Sequence, residues 1–440
     1  MNYRILVNHS DNNSKVLVPI EFLHAPNEIN TKYVFISFGQ RKVKAEIDTD
    51  KCLECNEIMV SKDIADALYL NLEVEYQLKY DKNTIRIGPV IGLLLGLKKN
   101  DISNNLLKRA LNYTLLYNNI NGLIVVFSIE GVDYENGIIE GYFFNPKCEK
   151  RQLPWGKGVF PIPNSIFQRI TLDKYNQNKL KSITQNCIFN SSYFNKWEFW
   201  IMVSRCSSVK YNIPYTRILN SLDDVDFIIN KYGSSYIKPI NGTLAQGIYK
   251  INKHLNTYLF KKKNKAQKLS RKQAKEYINN TIKDKKYIVQ QPIEAFTIDG
   301  RHMDFRVIMQ KDYTKEWMCT GIISFTGIEG DICSNSGGEL LFEYALEGRL
   351  KLSRESTFII KQNMIDICKK ICKILDSSGE NYGDLGFDVV LDKNLRVWVL
   401  EVNKRQYHST PLWVGDIQTF YAVKTNPIKY AAALGGFTIY

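Results

Sequence analysis

Short apolar runs alternate with turn residues along the first 95 positions, at 3–7, 15–20, 33–38, 42–47, 73–80 and 85–91. A period of two over such lengths predicts a small β-rich module over 1–95, with one short helix at 62–70. The segment Arg86-Ile-Gly-Pro-Val-Ile-Gly92 closes that module and leads to a predicted helix at about 101–117. A strand at 122–128, turn-rich sequence through Asn136, a strand at 138–144 and a proline-bearing connection with Trp155, Pro161 and Pro163 come next. This order of elements fits a compact α/β module over 96–190. Between 191 and 206, Phe194, Trp197, Trp200 and Ile201 recur at helical spacing, with Lys196 near the start. Residues 191–440 are read as a third unit, which makes the whole an α/β chain of the α+β kind.

A chain of 440 residues with 44% hydrophobic content can bury enough apolar surface for two or three domains without disulfide or metal staples. The amino terminus lacks the apolar core of an export signal. The longest apolar stretch, 87–97, is broken by Gly and Pro and is about half the length that spans a bilayer. The expectation is a cytoplasmic protein with no membrane partner. The nine cysteines are scattered, and Cys52-x-x-Cys55 has no second pair at zinc-ligand spacing, so neither a disulfide framework nor a zinc site is expected. A net charge of +14 implies attraction to polyanions. The densest basic run, Lys261 to Lys275, carries few aromatics and merges into a helical pattern. It reads as a solvated helix face, and no nucleic-acid partner is expected.

Four segments carry chemistry. In Tyr236-Ile-Lys-Pro-Ile-Asn-Gly-Thr-Leu-Ala-Gln-Gly-Ile248, a strand ending in Lys238-Pro is followed by a loop with Gly242, Thr243 and Gly247 and then by a return strand. Such a hairpin flap offers free backbone N–H groups to phosphates, with the Lys238 ammonium beside them. Tyr287-Ile-Val-Gln-Gln-Pro-Ile293 is an apolar strand ending in two amides, Gln290 and Gln291, suited to an adenine edge with Ile293 packing on the ring; an ordinary buried strand is the bland alternative. In Arg301-His-Met-Asp-Phe-Arg306, Asp304 and Arg306 share a strand face, which fits either a structural ion pair or a clamp on a transferring phosphoryl group. Gly386-Phe-Asp388 and, after a turn at 392–394, Glu401-Val-Asn403 predict a hairpin. Its three oxygen donors suit a magnesium ion completed by water and phosphate, since acidic groups on apolar strands are costly unless they coordinate something.

The order of these parts, together with Ser334-Asn335-x-Gly-Gly338, resembles the ATP-grasp superfamily and within it the YheC/YheD-like branch known as endospore coat-associated proteins. The resemblance extends to 87–92, to 155–169 and to Phe194-Asn-Lys-Trp197. It implies an ATP-grasp catalytic fold over 191–440 in which Lys196 and Lys238 contact ATP phosphates, the loop from Gly242 through Thr243 to Gly247 covers them, and Gln290, Gln291 and Ile293 hold the adenine. It further places Asp304 near the ribose, Arg306 with Lys238 near the transferred phosphate, and Mg²⁺ on Asp388, Glu401 and Asn403. The implied activity is ATP- and Mg²⁺-dependent ligation of a carboxylate to an amine through an acyl phosphate, on an amino acid, peptide or protein. The implied alternative is a spore-coat structural protein that binds nucleotide without turnover. Two departures stand out: no Arg lies between Arg306 and Arg349, and Glu401-Val-Asn403 is followed by a basic loop, Lys404-Arg-Gln-Tyr-His408-Ser.

Overall fold

The alternation read in the first 95 residues is realised as strands such as Tyr33–Phe38 and Arg41–Thr49, whose Val34, Ile36 and Ala45 face a common core while Tyr33 and Phe35 face outward. In this computed structural model, residues 2–23, 29, 31–149, 153–242, 246–262, 265–283, 285–329 and 337–439 are described. Seven strands between Arg4–Asn8 and Thr84–Gly88 form the first, mixed sheet, and Lys62–Leu68 is the short helix inside it.

A second, six-stranded sheet has a parallel interior, with Val90–Gly96 between Leu123–Asp133 and Ser165–Gln168. The helix predicted at 101–117 is broken into Asn104–Ala110, a 3-10 turn Leu111–Tyr113, and Tyr117–Ile120. Ser103 caps its start by accepting from the Leu106 N–H, and the Thr114 hydroxyl donates back to the Leu111 carbonyl, competing with helix propagation. The stretch read as a connection, Trp155–Pro161, is instead an edge strand paired with Ile138–Phe144. Proline is tolerated at the end of such an edge. Gly156 lets the Phe143 ring lie over the strand, because a Cβ there would come within 2.2 Å of it.

The third sheet is antiparallel, in the order Thr216–Ile218, Tyr287–Gln290, Ser234–Pro239, Tyr249–His254, Thr257–Lys262 and Lys265–Ser270. Helix Leu222–Tyr232 supplies Val225, Ile228 and Ile229, and helix Arg271–Lys283 supplies Ala274 and Ile278, to its core. The fourth sheet runs Gly338–Leu341, Trp317–Thr326, Arg301–Lys311, Asp384–Leu391, Val397–Asn403. One face buries Phe305, Val307, Leu385 and Phe387 with Ile360, Met364 and Cys368 of helix Arg354–Asp376. The final helix, Ile417–Leu434, packs on both Arg301–Lys311 and the second-sheet strand Ser165–Gln168, joining the two units. Among the described residues no helix is long and apolar enough to cross a membrane.

Candidate functional site

The acidic hairpin is closed by its own turn. Asp392 Oδ1 accepts the N–H groups of Asn394 and Arg396 at 2.9 and 3.0 Å, and its Oδ2 accepts Trp398 Nε1 at 2.9 Å. Asp388 then stands opposite Glu401, and Gly386 opposite Asn403. Because Leu385, Phe387 and Val389 take the core face, Asp384, Gly386 and Asp388 take the other. Arg306 faces Asp388 in register on the neighbouring strand and donates Nε–H to Asp388 Oδ1 at 2.7 Å. Asn403 Nδ2 donates to Asp388 Oδ2 at 3.1 Å.

Burial raises the Asp388 carboxyl to about 7; Arg306 opposes the rise, and Glu401 and Asp304 add to it. Glu401 goes the other way. Burial disfavours its charge, but Lys196, a hydrogen bond from Asp388 and Lys238 outweigh that and hold it below the ordinary carboxylate value. Of the two carboxyls, Asp388 is therefore the one that takes up a proton first as the pH falls. Two carboxyls that share a proton are a site where a divalent cation can replace it, and an added amide oxygen at Asn403 suits magnesium. Among the described residues no cluster of three His, Cys, Asp or Glu groups suited to a metal occurs. The hairpin thus offers an incomplete shell, of the kind that water and phosphate complete.

Lys196 is the first residue of helix Lys196–Ser204, whose N-terminus Asn195 caps by accepting from Trp197 and Glu198 N–H groups at 3.0 Å, while Glu198 accepts from Asn195 N–H at 2.8 Å. That reciprocal cap fixes the lysine at the helix entrance. Its Nζ lies 3.3 Å from Glu401 Oε2 and donates to the Gly242 carbonyl at 2.8 Å, so one ammonium links the acidic hairpin to the root of the flap. The flap stem is the antiparallel pair Ser234–Pro239 and Tyr249–His254. Gly247 at its return has φ +75°, and a Cβ there would meet Pro239 Cγ at 2.9 Å, so the turn requires glycine. Thr243, and Ser334 and Asn335 of the Asn-x-Gly-Gly segment, lie outside the described residues.

Lys196, Gly242, Glu401 and Asn403 line one cleft of about 620 Å³, together with Thr171, Tyr193, Lys404 and Arg405. Behind Lys196 a narrow slot is walled by Trp200, Pro214, Lys238, Gln290 and Leu400. Lys238 Nζ donates to Gln290 Oε1 at 2.7 Å, and Gln290 Nε2 donates to Thr216 Oγ1 at 3.0 Å. Gln291 is turned toward the neighbouring strand, its Oε1 accepting the Tyr215 N–H at 3.1 Å. Ile293 is half-buried past the end of its strand and lines neither space. Asp304 shares the Arg306 face, where its charge reaches Asp388. Arg306 is committed to Asp388 across the strands, an ion pair that the spacing Asp304-x-Arg306 did not reveal.

A second buried acid was not read from the sequence. Asp384 is fully buried and accepts from Arg169 at 3.0 Å, His408 at 2.7 Å, Gln310 at 2.8 Å and Gln406 at 2.5 Å. Burial alone would raise its carboxyl; His408, Arg169 and Gln406 outweigh that and hold it near 2. His408 receives the Tyr113 hydroxyl on Nδ1 at 3.0 Å, and burial lowers its imidazole to about 4, so it is neutral and donates Nε2–H to Asp384. The signal available was the repeat Asp384-x-Gly386-x-Asp388, which puts both acids on one face. Gly386 is needed between them: a Cβ would lie 2.9 Å from both Arg306 Cδ and Gln406 Cβ. Lys404 donates to the Phe194 carbonyl and sits 3.9 Å from that ring's centre; burial and Lys196 lower it to about 8.

Residues 185–434, more than half of the chain, match the family described as YheC/D like ATP-grasp. The endospore coat-associated protein YheD of Bacillus subtilis (strain 168) is 23% identical over 395 residues, covering 84% of this chain and 83% of that protein. YheC of the same organism is 21% identical over 282 residues, covering 60% of this chain and 76% of that one. Among solved structures, D-alanyl-alanine synthetase A from Vibrio cholerae aligns with a TM-score of 0.46 at 12% identity, over 79% of this chain and 98% of its own.

Proposed function

We propose that this chain, which belongs to the YheC/D-like ATP-grasp family, is an ATP-dependent ligase that joins a carboxylate to an amine. The observation that carries the reading is the Asp388–Glu401–Asn403 hairpin set against Lys196 beneath the flap root. Asp388, Glu401 and Asn403 would hold Mg²⁺, which neutralises phosphate charge when bound. Lys196 and Lys238 would balance the triphosphate from the cleft and the slot, with Gly242, Thr243 and Gly247 covering it. Gln290, with Gln291 and Ile293, would meet the adenine, and Asp304 the ribose. Lys196 would exchange Glu401 for phosphate, and Arg306, anchored by Asp388, would hold the transferring group from the opposite side.

In this reading the substrate carboxylate takes the γ-phosphoryl group, giving an acyl phosphate and ADP. The amine then forms the C–N bond as phosphate leaves with the electrons of the C–O bond, and the amine proton passes to solvent. The chain's part is to orient and to exclude water. Residues 1–95 and 96–190, which hold the first and second sheets except that the second-sheet strand Val90–Gly96 begins before 96, would act as units beside the 191–440 catalytic part.

The test is ADP formation with Mg²⁺ across amino acids and acidic peptides, for the parent and for Lys238→Ala and Glu401→Ala. Acceptor-dependent ADP that both substitutions abolish is expected; ADP under no condition rejects the ligase. Magnesium-dependent nucleotide binding without turnover selects the non-catalytic spore-coat role, which the names of the two Bacillus relatives support.

A further inference from the structure

The charges along the cleft do not balance from end to end. At the hairpin end each cation has an anion: Lys196 has Glu401 at 3.3 Å and Arg306 has Asp388 at 2.7 Å. Past Asn403 the chain continues directly into Lys404 and Arg405, both on the cleft wall, and among the described residues neither has a carboxylate at ion-pair distance. Glu198, the remaining acid on the wall, spends an oxygen on the Asn195 N–H. Lys404 donates to the Phe194 carbonyl and lies 3.9 Å from that ring's centre, and both cations also face a second ring: Lys404 Nζ lies 5.4 Å, and the Arg405 guanidinium 5.2 Å, from the centre of Tyr193. The Tyr193 hydroxyl is buried and has no hydrogen-bond partner.

A buried hydroxyl without a partner is destabilising, and two cations near the same ring without a contacting carboxylate repel each other. An anion with hydrogen-bond acceptor oxygens would relieve all three groups at once. Its position follows from the strand. Lys404 is one residue beyond Asn403 and three beyond Glu401, so at about 3.3 Å per residue it stands within about 10 Å of the reacting end. That is a span of at most about three extended residues.

We infer that Tyr193, Lys404 and Arg405 form the binding site for a side-chain carboxylate of the second substrate, distinct from its reacting group and from any α-carboxylate, which makes that substrate a dicarboxylic amino acid, free or within an acidic peptide. The inference rests on the ligase reading and names the substrate class of the same cleft. Selection comes from charge: a neutral side chain in that position leaves the cations unbalanced and the hydroxyl unpaired.

The experiment is calorimetric titration of the full chain, loaded with MgADP, with glutamate and with triglutamate, against glutamine and triglutamine. The same titrations are made on the Lys404→Met/Arg405→Met double variant, which keeps the apolar stems, and on Tyr193→Phe, which removes only the hydroxyl. The expected result is that an anionic probe binds the parent at least tenfold more tightly than its amide counterpart. The double variant loses that preference, Tyr193→Phe weakens it several-fold, and MgADP affinity stays within twofold of the parent in both. Preference for glutamate over triglutamate identifies a free acid, and the reverse a peptide. Equal binding of acid and amide, or an unchanged preference in the double variant, overturns the inference while leaving the ligase reading intact. A parallel loss of MgADP affinity also overturns it, by assigning the cations to the nucleotide. Failure of the parent to bind MgADP removes the ligase reading and this inference together.

Discussion

Asp384 and Asp388 stand on one face of the strand Asp384–Leu391, separated by Gly386, and their carboxyls are held in opposite states. Asp384, enclosed by four donors that include Arg169 and His408, is kept near 2. Asp388, buried and then crowded by Glu401 and Asp304 against the pull of Arg306, is raised to about 7. The first is an anchor between units; the second is strained by its neighbours in a way that a cation relieves.

Asparagine at the two positions is therefore expected to act oppositely. Asp384→Asn leaves Arg169 without its buried counter-charge and lowers stability by about 3–5 kcal/mol. Asp388→Asn keeps an oxygen for Arg306 and removes the carboxyl repulsion, so urea unfolding at pH 7.5 comes no earlier than in the parent, while magnesium-dependent nucleotide binding is lost. Equal destabilisation by the two changes contradicts this division of roles.

His408 sets a pH dependence. Its neighbours from every packed element are Asp384, Arg169, Tyr113 and Lys424. The folded imidazole titrates at about 4, below its ordinary 6.5, so between these values the unfolded chain binds more protons. Stability from this group is complete above 6.5 and falls on acidification toward 4, by about 2 kcal/mol at pH 5 at 1.36 kcal/mol per unit. The Asp384 contribution, present above 3.8, is lost only as the pH falls toward 2. Denaturant midpoints at pH 7 and 5 should separate less in His408→Gln than in the parent.

Lys196 joins Glu401 to the flap root at Gly242. Replacing it with Met keeps the stem on the helix entrance and removes the charge. Affinity for MgATP is expected to fall between tenfold and a hundredfold, the equivalent of one charged hydrogen bond of about 1.5–3 kcal/mol. Fluorescent-nucleotide titration reads this, and an unchanged dissociation constant speaks against a phosphate contact.

Gly386→Ala should be costly although the change is one methyl. Its Cβ would be placed 2.9 Å from Arg306 Cδ and Gln406 Cβ, pushing the arginine off Asp388 and the 404–408 loop off the strand. A loss of about 1–3 kcal/mol is expected, along with weaker nucleotide binding. A variant as stable as the parent shows that the loop yields without consequence.

The period of two in 384–391 and 397–403 places Asp388, Glu401 and Asn403 on one face from the sequence alone, because strand geometry is local and the turn is closed by Asp392 within it. The flap stem and the capped helix beginning at Lys196 are legible for the same reason: their hydrogen bonds lie within a few residues. The Trp155–Pro161 strand was not legible, since its pairing depends on Gly156 admitting a ring from another strand. Which partner each charge takes was hidden as well. Arg306 chose Asp388 over Asp304, and Asp384 gathered Arg169 and His408 from more than 200 and more than 20 positions away, respectively. Such choices are set by Coulomb energy and desolvation in a packed interior, quantities that exist only once distant segments share one space. The sequence by itself determined the alternating strands of the first 95 residues, the acidic hairpin and the family resemblance; the tertiary structure decided the edge strand Trp155–Pro161, the charge partners, the cleft between Lys196 and Arg405, and which of two acids on one strand is spent on structure.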